Sequence, residues 1–122
     1  MTVLRHIHTP GHALHVTQHG RSRLACFFGA QDRLAYLREL ARQAAELGCA
    51  LHAYALMGNH VHLLLTPDRR DSVIGLMQAL AERHARYLAE THPNEGEGSL
   101  LDAGFETTPV HVRQYLLACM RY

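Results

Sequence analysis

Two spacings of apolar residues organise this chain. Residues 12–18 (His-Ala-Leu-His-Val-Thr-Gln) are β-prone and bounded by Pro10-Gly11 and Gly20, which predicts a first strand. From Gln31 the spacing becomes helical: Leu34, Leu37, Leu40, Ala41, Ala44 and Leu47 form an apolar stripe, and Gly48 supplies the stop. Arg33, Arg38, Glu39, Arg42 and Glu46 fall on the wet side. Residues 49–57 and 60–66 then read as two strands joined by Gly58-Asn59, a strong hairpin signal. Pro67-Asp68 closes the second of them. Asp71 or Ser72 caps a long helix with Val73, Leu76, Met77, Leu80, His84 and Leu88 on one stripe.

Beyond Thr91 the chain turns polar and glycine-rich, which predicts a loop to Thr107 with one short strand near Phe105. Thr108-Pro109 has the chemistry of a helix start, with an N-cap followed by proline at the first helical position. The last helix then runs through Val112, Tyr115, Leu116 and Cys119 to Tyr122. The order β-α-β-β-α-(β)-α predicts an α+β fold, a ferredoxin-like sandwich with an antiparallel sheet covered by helices.

At 122 residues the chain has the size of one domain, residues 1–122. A composition 48% hydrophobic and 19% charged excludes intrinsic disorder. No apolar run approaches the roughly 20 residues that span a bilayer, so no membrane partner is expected. Without an apolar leader segment the expected location is the cytoplasm. Three widely spaced cysteines (Cys26, Cys49, Cys119) with no Cys-x-x-Cys fit reduced, buried thiols. Every basic residue is arginine, yet the formal charge is only +1, so net charge makes no case for nucleic acid.

Eleven histidines change the picture. In a strand, side chains two apart share a face, so His60 and His62 stand about 7 Å apart while Val61, Leu63 and Leu65 point into the core. Two imidazoles on a rigid strand can share a divalent ion. A two-residue turn pairs Met57 with His60, Ala55 with His62 and Ala53 with Leu64, leaving alanines beside His62. Leu64 continues the histidine face, so something covers part of it. The same i, i+2 spacing also suits two structural histidines, and spacing alone does not separate the readings. His6, His8, His12, His15 and His19 match no zinc template.

His15-Val-Thr-Gln-His-Gly20, Phe27-Phe28, Asp32, Tyr36-Leu37 and above all Leu51-His-Ala-Tyr-Ala-Leu-Met-Gly-Asn-His-Val-His-Leu-Leu-Leu-Thr-Pro67 resemble the REP-associated tyrosine transposases. These belong to the insertion-sequence-200-like superfamily of single-tyrosine HUH (His–hydrophobic–His) enzymes. The likeness continues through Met77-Gln78, Arg83-His-Ala-Arg-Tyr87 and Tyr115-Leu-Leu-Ala-Cys-Met-Arg-Tyr122. The resemblance implies DNA transposition by metal-dependent cleavage and rejoining of hairpin-bearing single-stranded DNA, through a 5′-phosphotyrosine. It implies that His60 and His62 bind Mg²⁺ or Mn²⁺ and that Tyr122 is the nucleophile. Tyr115, on the same helical face, is the competing candidate. Tyr87 falls on the apolar stripe of its helix. Arg83 and Arg86 are candidates for phosphate contacts or for a solvated helix face. A monomer and a homodimer are both compatible with the family.

The sequence departs from the family twice. A Gly-Thr-Leu-Trp-Glu-Gly-Arg-Phe-like segment reads here Gly98-Ser-Leu-Leu-Asp-Ala-Gly-Phe105, without the tryptophan and the arginine. The sequence also stops at Tyr122 where relatives continue Ile-x-x-Asn-Pro-Val, so a domain truncated at its C-terminus is expected. The alternatives to a cutting enzyme are a catalytically decayed module that binds hairpin or single-stranded DNA, and a plain structural domain.

Overall fold

The computed structural model describes residues 10–93 and 104–110. Its elements are β1 (Leu14–His19), a single 3-10 turn (Arg21–Arg23), α1 (Ala30–Leu47), β2 (Cys49–Leu56), β3 (His60–Pro67), α2 (Ser72–Thr91) and β4 (Glu106–Pro109). The strands form one antiparallel sheet ordered β2-β3-β1-β4. Two β-α-β crossovers interleave in that order, β1-α1-β2 around β3 and β3-α2-β4 around β1. This is the ferredoxin-like α+β sandwich that the element order predicts.

Strand alternation builds the core. Leu14 and Val16 of β1 and Val61, Leu63 and Leu65 of β3 pack with Tyr36, Leu40 and Ala44 of α1 and Val73, Leu76, Met77 and Leu80 of α2. Each fully buried leucine or valine contributes roughly 1.5–3 kcal/mol, so β3 is held chiefly by its three core-facing residues. That leaves His60 and His62 on the opposite face, by the two-residue period of the strand.

The hairpin forms as the Gly58-Asn59 link requires. The Met57 amide donates to the His60 carbonyl at 2.8 Å, Ala55 lies opposite His62, and Ala53 lies opposite Leu64. A bulge interrupts the β2–β3 register between Leu51 and Ala53. The α1 stop is also as expected. Gly48 has φ of 73°, and a Cβ there would strike the Asp68 carboxylate.

Two local expectations fail. On α1, Leu34 is 44% exposed and Ala41 is exposed, while Asp32, Tyr36, Leu40, Gln43 and Ala44 are buried. Leu37 and Leu47 still pack against the core, but the buried face also takes in Asp32 and Gln43, polar residues that hydrophobic spacing does not register. The Thr108-Pro109 helix start is overturned as well. Both residues belong to β4, where Thr108 pairs with His15 and Pro109 with Leu14, and the Val110 amide donates to the Ala13 carbonyl at 3.0 Å. Sheet pairing outweighs local capping chemistry, and proline is tolerated because β4 is an edge strand.

Cys26 and Cys49 are free and buried, and burial pushes both thiols up to about 11. Cys119, Tyr115 and Tyr122, with the last helix expected around them, lie outside the described residues. Among the described residues, no helix is long and apolar enough to cross a membrane.

Candidate functional site

Register assembles the site. On the sheet face opposite the helices, β3 and β1 align His60 with His19, His62 with Thr17, and Leu64 with His15. β4 extends two of these rows, setting Glu106 beside Thr17 and Thr108 beside His15. Ala55 continues the His62 row on the other side. Spacing along the chain gives His15 and His19 no role, but cross-strand register brings both to the His60–His62 pair.

The four rings touch. His60 and His62 have ring centroids 4.8 Å apart and nearly perpendicular planes. His15 stacks on His62 at 5.1 Å and His19 on His60 at 5.3 Å. His60 and His62 are half-buried, within reach of a ligand from this face. Burial first, and then the positive charge of His19 and Arg23, lowers the His60 pKa below the ordinary imidazole value. Burial also lowers that of His62, followed by the neighbouring rings of His60, His15 and His19. Both shifts favour the neutral imidazole, the state a metal ligand needs.

Each ring is held by its Nδ1 atom. His60 Nδ1 lies 2.7 Å from Asn59 Oδ1. His62 Nδ1 lies 3.0 Å from His15 Nε2 and 3.4 Å from Thr17 Oγ1. Fixing one ring nitrogen through a neighbour while the other stays available is how proteins orient histidine ligands. The donor set therefore fits a divalent cation bound through Nε2 of both rings. Among the described residues, no group of three or more His, Cys, Asp or Glu is placed to hold a metal. A further ligand would come from elsewhere in the chain, from water or from substrate.

A basic edge adjoins the rings. The Arg21–Arg23 turn leaves both arginines exposed, and Asn59 Nδ2 donates to the Arg23 carbonyl at 3.1 Å. A depression of about 200 Å³, lined by Thr17, His19, Gly104, Phe105 and Glu106, lies on the same side of the sheet. Chain-order reasoning misses this edge. Ser22 and Arg23 adopt left-handed φ, which neither residue type favours, and only Gly20 marks the turn in the sequence.

Arg83 and Arg86 stand elsewhere. They project from α2 beside a depression of about 390 Å³ between the two helices, with Arg38, Glu39 and Glu90 at its rim. Arg83 lies 3.8 Å from Glu39. Because α2 packs on the core side of the sheet, the structure does not bring this pair to His60 and His62. Tyr87 is half-buried, and its hydroxyl donates to Asp32 at 2.8 Å.

The ferredoxin-like sheet and its paired imidazoles define an α+β domain that presents histidines on a rigid central strand. Residues 9–122 fit the family model described as "Transposase IS200 like", and the chain belongs to that family. No curated protein matches it. Among solved structures, it resembles a REP-associated tyrosine transposase bound to a REP hairpin, with a TM-score of 0.72 and 10% identity. That alignment covers 93% of this chain and 65% of the other, so this chain spans about two-thirds of that protein's length. A candidate transposase from Deinococcus radiodurans R1 aligns with a TM-score of 0.65 and 24% identity, over 89% of this chain and 85% of its own. At these identities the two structures speak to the fold alone.

Proposed function

We propose that this domain cleaves and rejoins single-stranded DNA next to hairpins, as a transposase of the tyrosine HUH type. The observation that carries the reading is the His60–His62 pair, two imidazoles in contact on one face of a central strand, each held through Nδ1. Membership of the family and the hairpin bound by a relative of the same fold support DNA as the substrate. Mg²⁺ or Mn²⁺ would be held by Nε2 of His60 and His62 and, when bound, would polarise the scissile phosphate and offset charge developing on its oxygens.

In this reading the chain's own residues orient and attack. Asn59, His15 and Thr17 fix the two rings, and exposed Arg21 and Arg23 hold the phosphates of the incoming strand beside them. Arg83 and Arg86 contact phosphates of a more distant part of the DNA. Tyr122 gives up its phenolic proton and bonds to phosphorus as the bond to the 3′-oxygen breaks. That oxygen leaves as a free 3′-hydroxyl, having taken up a proton. The phosphotyrosine keeps the phosphodiester's bond energy, so attack by a 3′-hydroxyl reseals the strand without ATP.

Incubation with a hairpin-bearing oligonucleotide and Mn²⁺, followed by a denaturing gel, tests this. The expected product is a covalent protein–DNA adduct that disappears in Tyr122→Phe and in His60→Ala. An adduct that persists in Tyr122→Phe moves the nucleophile to Tyr115. Salt-sensitive binding with no adduct replaces the cleavage reading with a hairpin-binding module.

A further inference from the structure

The turn carrying Arg21 and Arg23 runs against its own backbone preferences. Ser22 and Arg23 have φ of 55° and 60°, a left-handed region that is strained for a non-glycine residue. Such a conformation persists only where surrounding contacts impose it. Here the contacts come from the tip of the β2–β3 hairpin. The Gly20 amide donates to the Asn59 carbonyl at 2.8 Å, and the Cys26 amide donates to the Gly58 carbonyl at 2.9 Å. Gly20 is also sterically required, because a Cβ there would strike the Leu24 carbonyl.

Hydrogen-bond bookkeeping at Asn59 then has one solution. The Arg23 carbonyl can only accept, so the amide nitrogen of Asn59 must face it, at 3.1 Å. The amide oxygen therefore faces His60 Nδ1, at 2.7 Å, and it too can only accept. The proton must sit on His60 Nδ1. In the neutral ring, Nε2 is left with a bare lone pair.

We infer that Asn59 is a positioning residue whose two ends fix His60 in the tautomer that offers Nε2 and hold the Arg21–Arg23 turn beside that ring. Metal-binding imidazole and phosphate-binding guanidinium groups are thereby set by one side-chain amide. The inference deepens the proposed function and rests on its reading of His60 as a ligand. It also gives Asn59 a role beyond the tight turn, which alone would accept glycine or aspartate.

Long-range proton–nitrogen correlation spectra of histidine-labelled, metal-free protein at about pH 8 read the tautomer directly. The His60 signals are identified by their loss in His60→Gln. Wild-type His60 should carry its proton on Nδ1. Asn59→Ala should shift the proton toward Nε2 and weaken Mn²⁺ binding in a titration by about tenfold or more. Asn59→Asp keeps the acceptor and loses the donor, so it should retain the tautomer while speeding amide exchange at Arg23 and Leu24. A wild-type ring protonated on Nε2 overturns the inference, whether or not the variants fold. So does an Asn59→Ala protein with the wild-type tautomer. The readout needs neither DNA nor turnover, so a protein with the expected tautomer that forms no adduct sinks the cleavage reading alone.

Discussion

Replacing Asp32 should loosen the side of the molecule that carries the arginine turn. Asp32 is 2% exposed in the first turn of α1, and its carboxylate accepts three hydrogen bonds. The Phe28 amide donates at 2.8 Å, the Tyr87 hydroxyl at 2.8 Å and His92 Nε2 at 3.0 Å. One carboxylate thus ties the loop before α1 to the far end of α2. That loop continues back to the hairpin tip through the Cys26 and Phe27 amides. Hydrogen bonds to charged groups are worth about 1.5–3 kcal/mol each, and the half-buried Tyr87 and His92 fall at the low end. Asp32→Ala should therefore cost about 3–5 kcal/mol, a large share of the roughly 5–15 kcal/mol that stabilises a domain. Asp32→Asn, which keeps an acceptor oxygen, should cost about 1–2 kcal/mol.

Urea unfolding followed by circular dichroism measures both losses, and pH separates the mechanism from simple packing. Burial pushes the Asp32 carboxyl up, but hydrogen bonds from His92, Phe28 and Tyr87 outweigh it and hold its pKa below the usual value. A depressed carboxylate pKa contributes stability above the unfolded value, near 3.9, that is lost as pH falls through the folded one. The wild-type advantage over Asp32→Asn should be complete at neutral pH and shrink below about pH 4. A loss under about 1 kcal/mol for Asp32→Ala, or an advantage over Asp32→Asn that survives in strong acid, would refute the reasoning.

Other outcomes follow from the packing. Leu63→Ala, at a fully buried site of β3, should destabilise by about 3–5 kcal/mol in the same urea assay. Gly48→Ala should cost about 1–2 kcal/mol through its left-handed φ, and more if Asp68 cannot move aside. His84 is buried, its Nε2 lies 2.6 Å from the Cys26 carbonyl, and burial lowers its pKa. A histidine with a depressed folded pKa binds its proton more readily when unfolded, so stability should fall as pH drops below about 6.5. His84→Gln should flatten that decline, and an unchanged pH profile would contradict it.

What the sequence made legible was local. Gly58-Asn59 between two apolar runs was enough to place Ala55 beside His62, because a two-residue link fixes hairpin register. The missed features were decided over longer range. Thr108-Pro109 reads as a helix start until β1 offers it a sheet edge. His15 and His19 look scattered until β1 and β3 pair, and nothing nearby in sequence states that register. The exposed Leu34 and the buried Asp32, Tyr36 and Gln43 show that the buried face of α1 is not set by its leucines alone. The positive φ at Ser22 and Arg23 is imposed by the hairpin tip, not by those residues' own preferences.

Titrating the DNA-free protein with Mn²⁺, while following paramagnetic broadening of its histidine ring signals, tests the metal-holding face most directly. Saturable binding should broaden His60 and His62 first, leave His84 sharp, and be lost in His62→Ala. Broadening spread evenly over the histidines, or binding that survives without His62, would contradict the assignment of this face.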